Sequence, residues 1–427
     1  MEDIIEETKY CLNCKVKPCS LKGCPLNNDI PAFIAQAKNG DFEEAFKILT
    51  KTTVLPAVCG KICPHYKQCM GSCVRGIKGN SVNIGKIEEY IGKVALEKGY
   101  SLVNEYTEIS KEEYEENSKK KIAIVGSGPS GLTAAAFLRR KGFKVTIYEK
   151  YNELGGILRR GIPEFRLDKN VLDNTINKIL DLGIETKYNQ ELGKNLSMKS
   201  LEENYDAIYI AIGANISTKM NVPGEELNGV FGGNELLEKN LHPDYKDKKV
   251  AIIGGGNVAM DCARTIKRKG AKEVVVIYRR AEEQMPAEKK EIEDAKNEGI
   301  EFLFQNNLVK ILGNKKVEKI ECIKTKLEIK EGETRAVPVN IENSNYEIDI
   351  DYVVMAVGSK ADKEIIEESG VDINTKGYIK INEKYNTNNE KIFAGGDVVG
   401  QTATVAFAAR DGRNAAERIE EYLKKRS

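Results

Sequence analysis

The chain has 427 residues, with 66 lysines and arginines against 65 aspartates and glutamates, so its formal net charge is +1. This balance gives no reason to expect nucleic acid or an anionic membrane as a partner. The length suits two or three domains, no apolar run approaches the roughly 18 residues of a membrane helix, and two histidines disfavour histidine-based catalysis or metal binding.

The chain starts with an acidic stretch at residues 2–7, the opposite of a signal peptide's basic start. We therefore expect a cytoplasmic protein with reduced thiols. Eight of the ten cysteines lie within residues 11–73, and the other two are expected to be buried apolar residues. The first group is Cys11, Cys14, Cys19 and Cys24, the second is Cys59, Cys63, Cys69 and Cys73, and the outliers are Cys262 and Cys322.

Crowded thiols of this kind indicate a metal centre. Iron–sulfur clusters usually take four thiolates each, so eight cysteines suit two clusters. Zinc is the main alternative, but zinc sites favour paired CxxC spacings and often histidine, and only Cys11–Cys14 has that spacing. Disulfides are the third alternative.

The same region predicts three helices. Asp29 precedes a helix with proline near its first turn, and Asp41 caps a second one. A third runs from Asn83 to about Lys98, and residues 99–118, rich in glutamate and lysine, are predicted to be a connector.

Two strand–glycine–helix–strand units follow, beginning at residues 121 and 250. Strands that alternate with helices indicate parallel sheets, so the fold class is α/β with two Rossmann-like nucleotide-binding domains.

The first glycine-rich loop is predicted to bind FAD or NAD. Its glycines permit a tight turn, close approach of a pyrophosphate and helix packing, and the helix start attracts phosphate. The next strand ends in Glu149, which would bind ribose hydroxyls; the alternative is an exposed strand end. The candidate loop residues are Gly126, Gly128, Pro129, Ser130 and Gly131.

The second loop differs at its strand end, where Arg279 and Arg280 replace the acid. Guanidinium groups match phosphate oxygens, so this loop is predicted to take NADP(H); the alternative is an exposed surface pair. The candidate loop residues are Gly254, Gly256, Asn257, Val258 and Ala259.

A third signal is Gly395-Gly396-Asp397, followed by a helix starting near Thr404-Val405. Gly396, Asp397, Thr404 and Val405 are candidates for cofactor binding, with the helix dipole facing a reduced flavin. The alternative is a plain turn with a capping aspartate. No CxxC occurs outside the N-terminal region, which argues against a disulfide reductase.

The order of these motifs, with Gly155-Gly156 and Gly161-Ile162-Pro163 between them, resembles the small (beta) subunit family of NADPH-dependent glutamate synthase. That family includes the N-terminal half of dihydropyrimidine dehydrogenase and the large subunit of NADH-dependent ferredoxin:NADP oxidoreductase. The resemblance covers the whole chain, and adds Gly156 and Gly161 to the cofactor-binding candidates. It implies a helical iron–sulfur domain at 1–118, a split FAD domain at 119–217 and 357–427, and an inserted NADPH domain at 218–356.

The resemblance also implies two 4Fe–4S clusters with interleaved ligands. One would use Cys11, Cys14, Cys19 and Cys73; the other would use Cys24, Cys63, Cys69 and Glu88, leaving Cys59 spare. The rival assignment gives each contiguous group its own cluster, with Cys59 as a ligand and Glu88 as an ordinary surface acid.

The expected function is electron transfer from NADPH through FAD and the clusters to a glutamate synthase large subunit, which makes glutamate from 2-oxoglutarate and glutamine. No side chain is expected to act as a nucleophile. One alternative is an oxidoreductase of the same build that serves ferredoxin, a hydrogenase or another acceptor, with electron bifurcation as an option. Another is a zinc-bound, non-catalytic nucleotide-binding protein.

Overall fold

A computed structural model describes residues 2–329 and 336–426. The α-helices in these ranges are α1 (Glu2–Lys9), α2 (Ile30–Lys38), α3 (Phe42–Thr50), α4 (Pro56–Ile62), α5 (Ile84–Glu97), α6 (Lys111–Asn117), α7 (Pro129–Arg140), α8 (Ile157–Arg160), α9 (Lys169–Leu180), α10 (Met198–Asn204), α11 (Gly233–Lys239), α12 (Asn257–Arg268), α13 (Lys289–Asn297), α14 (Lys363–Glu368) and α15 (Val405–Lys424).

The strands are β1 (Lys121–Val125), β2 (Lys144–Tyr148), β3 (Glu185–Lys187), β4 (Ala207–Ile210), β5 (Ile216–Ser217), β6 (Val230–Gly232), β7 (Lys249–Ile253), β8 (Glu273–Tyr278), β9 (Glu301–Phe304), β10 (Asn306–Leu312), β11 (Lys319–Glu328), β12 (Val337–Asn340), β13 (Tyr346–Asp349), β14 (Tyr352–Met355), β15 (Ser359–Lys360) and β16 (Ile392–Ala394).

The three predicted N-terminal helices form, and each has a side-chain cap, including the predicted cap Asp41. Asp29 Oδ1 accepts a hydrogen bond from the backbone N–H of residue 32 at 3.3 Å, and Asp41 Oδ1 accepts one from that of residue 44 at 2.9 Å. Asn83 caps α5 in the same way, at 3.1 Å. These side chains satisfy amide groups that a helix start leaves without a partner. Residues 99–118, predicted to be a connector, contain the short helix α6, which Ser110 caps.

The chain forms two compact units. The first contains Met1–Arg159, Glu164–Ala214 and Ala361–Ser427, and the second contains Arg160–Pro163 and Asn215–Lys360. The cysteine-bearing helices therefore belong to the same unit as the first glycine loop. The second unit extends slightly beyond the predicted boundaries of 218–356, and the assignment of one cofactor to each domain stays a prediction.

The first unit is built on a parallel sheet with the strand order β16-β4-β1-β2-β3. Its central strands are nearly continuous apolar runs, and residues 122–125 and 207–210 are buried, as expected for strands covered on both faces. Strand β1 lies between β2 and β4, so the strand order reverses there. The first glycine loop leaves the carboxyl end of β1, the position where sheets of this type bind ligands.

The second unit repeats this arrangement with the parallel order β6-β14-β7-β8-β9. The second glycine loop leaves the carboxyl end of β7, again at a reversal of strand order. Strands β10 to β13 form a separate antiparallel sheet, and β5 pairs with β15. The predicted fold class is confirmed: it is α/β, with two Rossmann-like domains that follow a helical segment in the chain. Within the described ranges, every helix is too short or too polar to cross a bilayer.

Candidate cofactor sites

Four cysteines line one cavity in the N-terminal helical region. Its cysteine residues are Cys11, Cys14, Cys19 and Cys73. Burial raises the thiol pKa of Cys19 to about 11 and also raises that of Cys11. Three of these cysteines come from the first sequence group and one from the second. The cavity therefore combines cysteines of both sequence groups, as in the interleaved set that the family resemblance implies, and the assignment of cluster ligands stays a prediction.

The thiols of this cavity are spread around its wall and do not converge on the position of a single metal ion. Within residues 2–329 and 336–426, no three histidine, cysteine, aspartate or glutamate side chains have the geometry to hold a single metal ion. Apolar side chains of α2, α5 and the preceding loop close the cavity, including Ile30, Ile34, Val82 and Ile84. All ten cysteines are free thiols. Four thiols around an apolar cavity fit the donor set of an iron–sulfur cluster.

A second group of cysteine thiols surrounds the Glu88 side chain on α5. The Glu88 side chain is buried, and its Oε1 accepts a hydrogen bond from Asn28 Nδ2 at 3.3 Å. Burial raises the pKa of the Glu88 carboxyl to about 8. Burial, and after it the nearby Glu88 carboxyl, raises the thiol pKa of Cys24 to about 12 and that of Cys69 well above its ordinary value. These groups are therefore neighbours.

Cys63 joins this group together with Cys59. A hydrogen bond with Cys59 and burial raise the pKa of the Cys63 thiol, and the Glu88 charge acts in the same direction. The buried thiols and the Glu88 carboxyl all become negative when they ionise. Because buried negative charges repel each other and lack water, their ionised forms need a cation nearby. The group fits an iron–sulfur cluster. Both candidates for its fourth ligand, Cys59 and Glu88, are present, so the geometry leaves that choice open.

Two hydrogen bonds join the cysteine segment to α15 within the first unit. Gln68, which precedes Cys69, donates from Nε2 to Thr404 Oγ1 at 3.3 Å. Arg413 donates from a guanidinium nitrogen to the carbonyl oxygen of Leu26 at 2.7 Å. The segment around Cys24 and Cys69 is therefore attached to the helix that follows the Gly395-Gly396-Asp397 motif.

The first glycine loop combines tight packing with one open position. Gly126 has φ +102°, which only glycine adopts readily. A Cβ on Gly131 would lie 2.0 Å from the carbonyl oxygen of Gly126, whereas a Cβ on Gly128 would meet nothing within 4 Å. Pro129 begins α7 with Gly128 as its N-cap. The open position lies at a helix N-terminus, which suits a pyrophosphate.

Glu149 is buried rather than an exposed strand end. Its Oε2 accepts hydrogen bonds from the backbone N–H of Ser127 at 3.2 Å and from Ser127 Oγ at 2.5 Å. Its Oε1 accepts one from the N–H of Tyr151 at 3.0 Å. A carboxylate has lone pairs beyond these, so it can still accept bonds from ribose hydroxyls.

The C-terminal motif packs against the same loop. A Cβ on Gly396 would lie 3.0 Å from Ser130 Cβ, and the Gly396 N–H donates to the buried Asp411 Oδ2 at 3.1 Å. Burial, and after it the nearby Asp411, raises the pKa of Asp397 to about 6. Helix α15 begins at Val405 with Thr404 as its N-cap, as predicted. The Ser130 hydroxyl is hydrogen-bonded to Tyr209 in the core, so its predicted cofactor role is not visible in this geometry.

The second loop has the same backbone but different side chains at its strand end. Gly254 has φ +137°, and a Cβ on Gly256 would meet only Pro286 Cγ, at 3.9 Å. Asn257 begins α12, Val258 is half-buried and Ala259 is buried. Arg279 is exposed and Arg280 is half-buried, and neither forms an ion pair with any residue that the structure describes. Free guanidinium groups at this position suit a phosphate.

The remaining candidates divide between the units. Gly156 lies in the first unit, where a Cβ would come within 2.8 Å of Gly128 Cα, whereas Gly161 lies in the second. Cys262 and Cys322 are buried, as expected. The sequence analysis missed Gln68, Arg413 and Asp411. Of these three, only Asp411 could have been recognised in the sequence, because it is an acidic residue among the small apolar residues of the buried face of α15.

Comparison with known families agrees with this geometry. Residues 120–412 match the pyridine nucleotide-disulphide oxidoreductase family, and residues 1–100 match the family described as dihydropyrimidine dehydrogenase domain II, 4Fe-4S cluster. The fold and the sites define a flavin-dependent and pyridine-nucleotide-dependent oxidoreductase with an iron–sulfur domain.

Individual relatives narrow this class. The glutamate synthase [NADPH] small chain of Halomonas elongata is 35% identical over 99% of this chain and 91% of its own length. The NADP(+)-dependent formate dehydrogenase subunit beta of Moorella thermoacetica is also 35% identical, over 95% of this chain and 60% of its own length. The chain belongs to the family of the glutamate synthase small chain. The prediction of an NADPH-dependent flavin and iron–sulfur oxidoreductase is confirmed.

A solved structure shows the same fold. Mycobacterium tuberculosis FprA in complex with NADPH superimposes with a TM-score of 0.64 over 72% of this chain and 85% of that chain, at 21% sequence identity. At this identity the likeness concerns the fold alone.

Proposed function

We propose that the chain is the electron-supplying subunit of a glutamate synthase. It oxidises NADPH and delivers the electrons to a separate large subunit, which makes glutamate from 2-oxoglutarate and glutamine. The observation that carries the proposal is that the four-cysteine cavity and the first glycine loop lie in one compact unit. The relationship to a glutamate synthase small chain over 99% of the chain supports the choice of partner.

Each cofactor has a set of residues that would hold it. The first loop, Glu149 and the Gly396-Asp397 turn would bind FAD, and the second loop with Arg279 and Arg280 would bind NADPH. When bound, FAD accepts a hydride and releases single electrons, which iron–sulfur clusters carry. The protein contributes binding, orientation and electrostatics, and no side chain acts as a nucleophile.

We assign two 4Fe–4S clusters to the N-terminal region. Cys11, Cys14, Cys19 and Cys73 would hold one cluster, and their shared cavity supports this set. Cys24, Cys63, Cys69 and Glu88 would hold the other, with Cys59 spare. The proximity of the buried Glu88 carboxyl to these thiols supports an oxygen ligand.

Replacement of one cluster ligand tests the proposed function. In Cys14→Ser, NADPH-driven reduction of a dye should stay within about twofold of wild type, because dyes take electrons directly from flavin. Glutamate formation with the large subunit should fall by at least about 100-fold, and the iron content should fall with it. If glutamate formation survived the loss of iron, or if dye reduction stopped while flavin stayed bound, the proposed electron route would be wrong.

A pair of variants tests the second cluster. Glu88→Ala should lower the iron content and Cys59→Ala should leave it near the wild-type value, measured with acid-labile sulfide after anaerobic purification. Electron paramagnetic resonance of the reduced protein would show which cluster signal is lost. The reverse pattern would assign the fourth ligand to Cys59 instead of Glu88.

The second candidate is an oxidoreductase of the same build with another acceptor. The relative from Moorella thermoacetica favours it, because that protein is a subunit of a formate dehydrogenase and not of a glutamate synthase. Anaerobic purification from the native cell distinguishes the two candidates. A glutamate synthase large subunit that co-purifies supports the first, and a ferredoxin-dependent signal with NADPH supports the second.

A further inference from the structure

The rim of the four-cysteine cavity is apolar and exposed. Leu12 and Val74 line the cavity, yet they are 51% and 39% exposed. Val74 also lines an adjoining surface hollow with Ile77, which is 76% exposed, and with Lys78. Large aliphatic side chains are thus exposed to solvent beside the cysteines. Such an exposed apolar patch with a polar surround is typical of a protein interaction site.

The same region has an unusual charge distribution. Residues 10–28 and 45–87 contain no aspartate or glutamate, although the chain has 65 of them. The lysines and arginines in these two segments are Lys15, Lys17, Lys22, Lys47, Lys51, Lys61, Lys67, Arg75, Lys78 and Lys86. A chain that is nearly neutral overall therefore presents a basic segment around its cysteines.

Part of this positive charge has no ion-pair partner among the described residues, although Lys47 and Lys61 pair with acidic side chains. Lys17 pairs with Asp29 at 2.6 Å, but Lys15 and Lys78 form no ion pair with any residue in the described ranges. Arg75 interacts within its own region, because its Nε donates to the carbonyl oxygen of Tyr10 at 2.9 Å. Burial raises the pKa of the Cys11 thiol, and the Arg75 charge partly opposes that effect. The free lysines are available to an external anionic surface.

We propose that Leu12, Lys15, Val74, Ile77 and Lys78, here called the cavity rim, form the docking surface for an electron-accepting protein with an apolar centre framed by carboxylates. Interfaces commonly combine an apolar core with a polar rim, and opposite charges raise association rates. The proposal rests on the proposed function, because it takes the cysteine cavity as the place where electrons leave the chain.

Two forms of one haem protein test the chemistry of the partner. Native cytochrome c is basic, and succinylated cytochrome c carries the same haem on an acidic surface. Each NADPH oxidised to NADP⁺ releases one proton and supplies two electrons, which reduce two haem irons from Fe(III) to Fe(II). The cavity-dependent rate is the rate of cytochrome c reduction by wild type minus the rate by Cys14→Ser. This cavity-dependent rate should be at least about tenfold higher for succinylated than for native cytochrome c at low salt, and the difference should shrink as ionic strength rises.

Charge reversal on the rim locates the surface. Lys78→Glu should lower the kcat/KM for succinylated cytochrome c by about fivefold and weaken its binding, measured by surface plasmon resonance, by a similar factor. Lys78→Gln should give a smaller loss of the same sign. The matched control is Lys384→Glu, which reverses another exposed lysine without an ion pair among the described residues and should change neither value.

The outcomes separate the two hypotheses. Equal rates for both cytochromes, no effect of salt, or equal effects of Lys78→Glu and Lys384→Glu would each overturn the docking surface. Dye reduction by NADPH is measured in every variant and does not involve the rim. Its absence in the wild-type protein would instead overturn the proposed function.

Discussion

The two glycine loops share one strand–loop–helix arrangement and differ in the side chains at the end of the next strand. Both leave the central strand of a parallel sheet at a reversal of strand order, and both offer an open position at a helix N-terminus. They differ at the end of the next strand. Glu149 is buried and hydrogen-bonded to its own loop, whereas Arg279 and Arg280 make no ion pair with described residues. The backbone arrangement suits the pyrophosphate that dinucleotides share, and in the proposed function the strand-end side chains distinguish FAD from NADPH.

The largest expected effect concerns the third glycine of the first loop, Gly131, at a position that Ala259 occupies in the second loop. Gly131→Ala should destabilise the flavin-free protein by roughly 3 kcal/mol, because the new Cβ would lie 2.0 Å from the carbonyl oxygen of Gly126. Thermal unfolding of the flavin-free protein measures this loss. A variant as stable as wild type would mean that the first loop can rearrange to accept a Cβ, as the second loop accepts Ala259.

Gly128→Ala is the matched control within the same loop. Gly128 has φ −68°, and its added Cβ would meet nothing within 4 Å. Stability should therefore change by less than about 1 kcal/mol, whereas FAD affinity should fall at least about tenfold because the methyl group fills the space of the pyrophosphate. Normal FAD binding by this variant would contradict the assigned ligand position.

The next effect concerns the difference between the loops. Replacing both Arg279 and Arg280 with alanine should lower kcat/KM for NADPH by about 100-fold, because charge-assisted hydrogen bonds to the 2′-phosphate are lost. The value for NADH, which lacks that phosphate, should change by less than about threefold. Dye-reduction kinetics with both nucleotides measure the two values. Equal losses would remove the assignment of NADPH to the second loop.

The smallest effect concerns Asp397, an acid of the first unit near its glycine loop. Because its folded pKa of about 6 exceeds the ordinary 3.8, the folded protein binds the proton more tightly, and stability falls as pH rises from about 4 to 6. Asp397→Asn should therefore stabilise the flavin-free protein by roughly 1–2 kcal/mol at pH 7.5. The difference should vanish near pH 4. A variant less stable than wild type at pH 7.5 would show that the carboxylate has a favourable partner.

Local sequence signals predicted much of the fold. Helix starts near Asp29, Asp41 and Asn83 were predicted from neighbouring residues alone. The signals were the proline that follows Asp29, the capping carboxylate of Asp41 and the apolar spacing after it. Helix α4 was missed. It has seven residues between two prolines, and the burial of most of its residues stabilises it more than intrinsic propensity does.

Long-range contacts were beyond the sequence. The family resemblance implied that Cys73 joins the first three cysteines, but spacing alone left the contiguous grouping equally open. Nothing near Gln68 or Arg413 indicates a partner more than 300 residues away in the chain. Such pairings depend on how elements pack, and hydrophobic periodicity does not encode them.

The hydrogen bond between Arg413 and Leu26 has a consequence for biosynthesis. Its partners are 387 positions apart, so at about 5–20 residues per second the ribosome needs roughly 20 to 80 s to make the second after the first. During that interval the nascent cysteine segment cannot dock on α15. Until α15 has been translated, the thiols near Leu26 and Gln68 are therefore more accessible to metal insertion than in the folded protein.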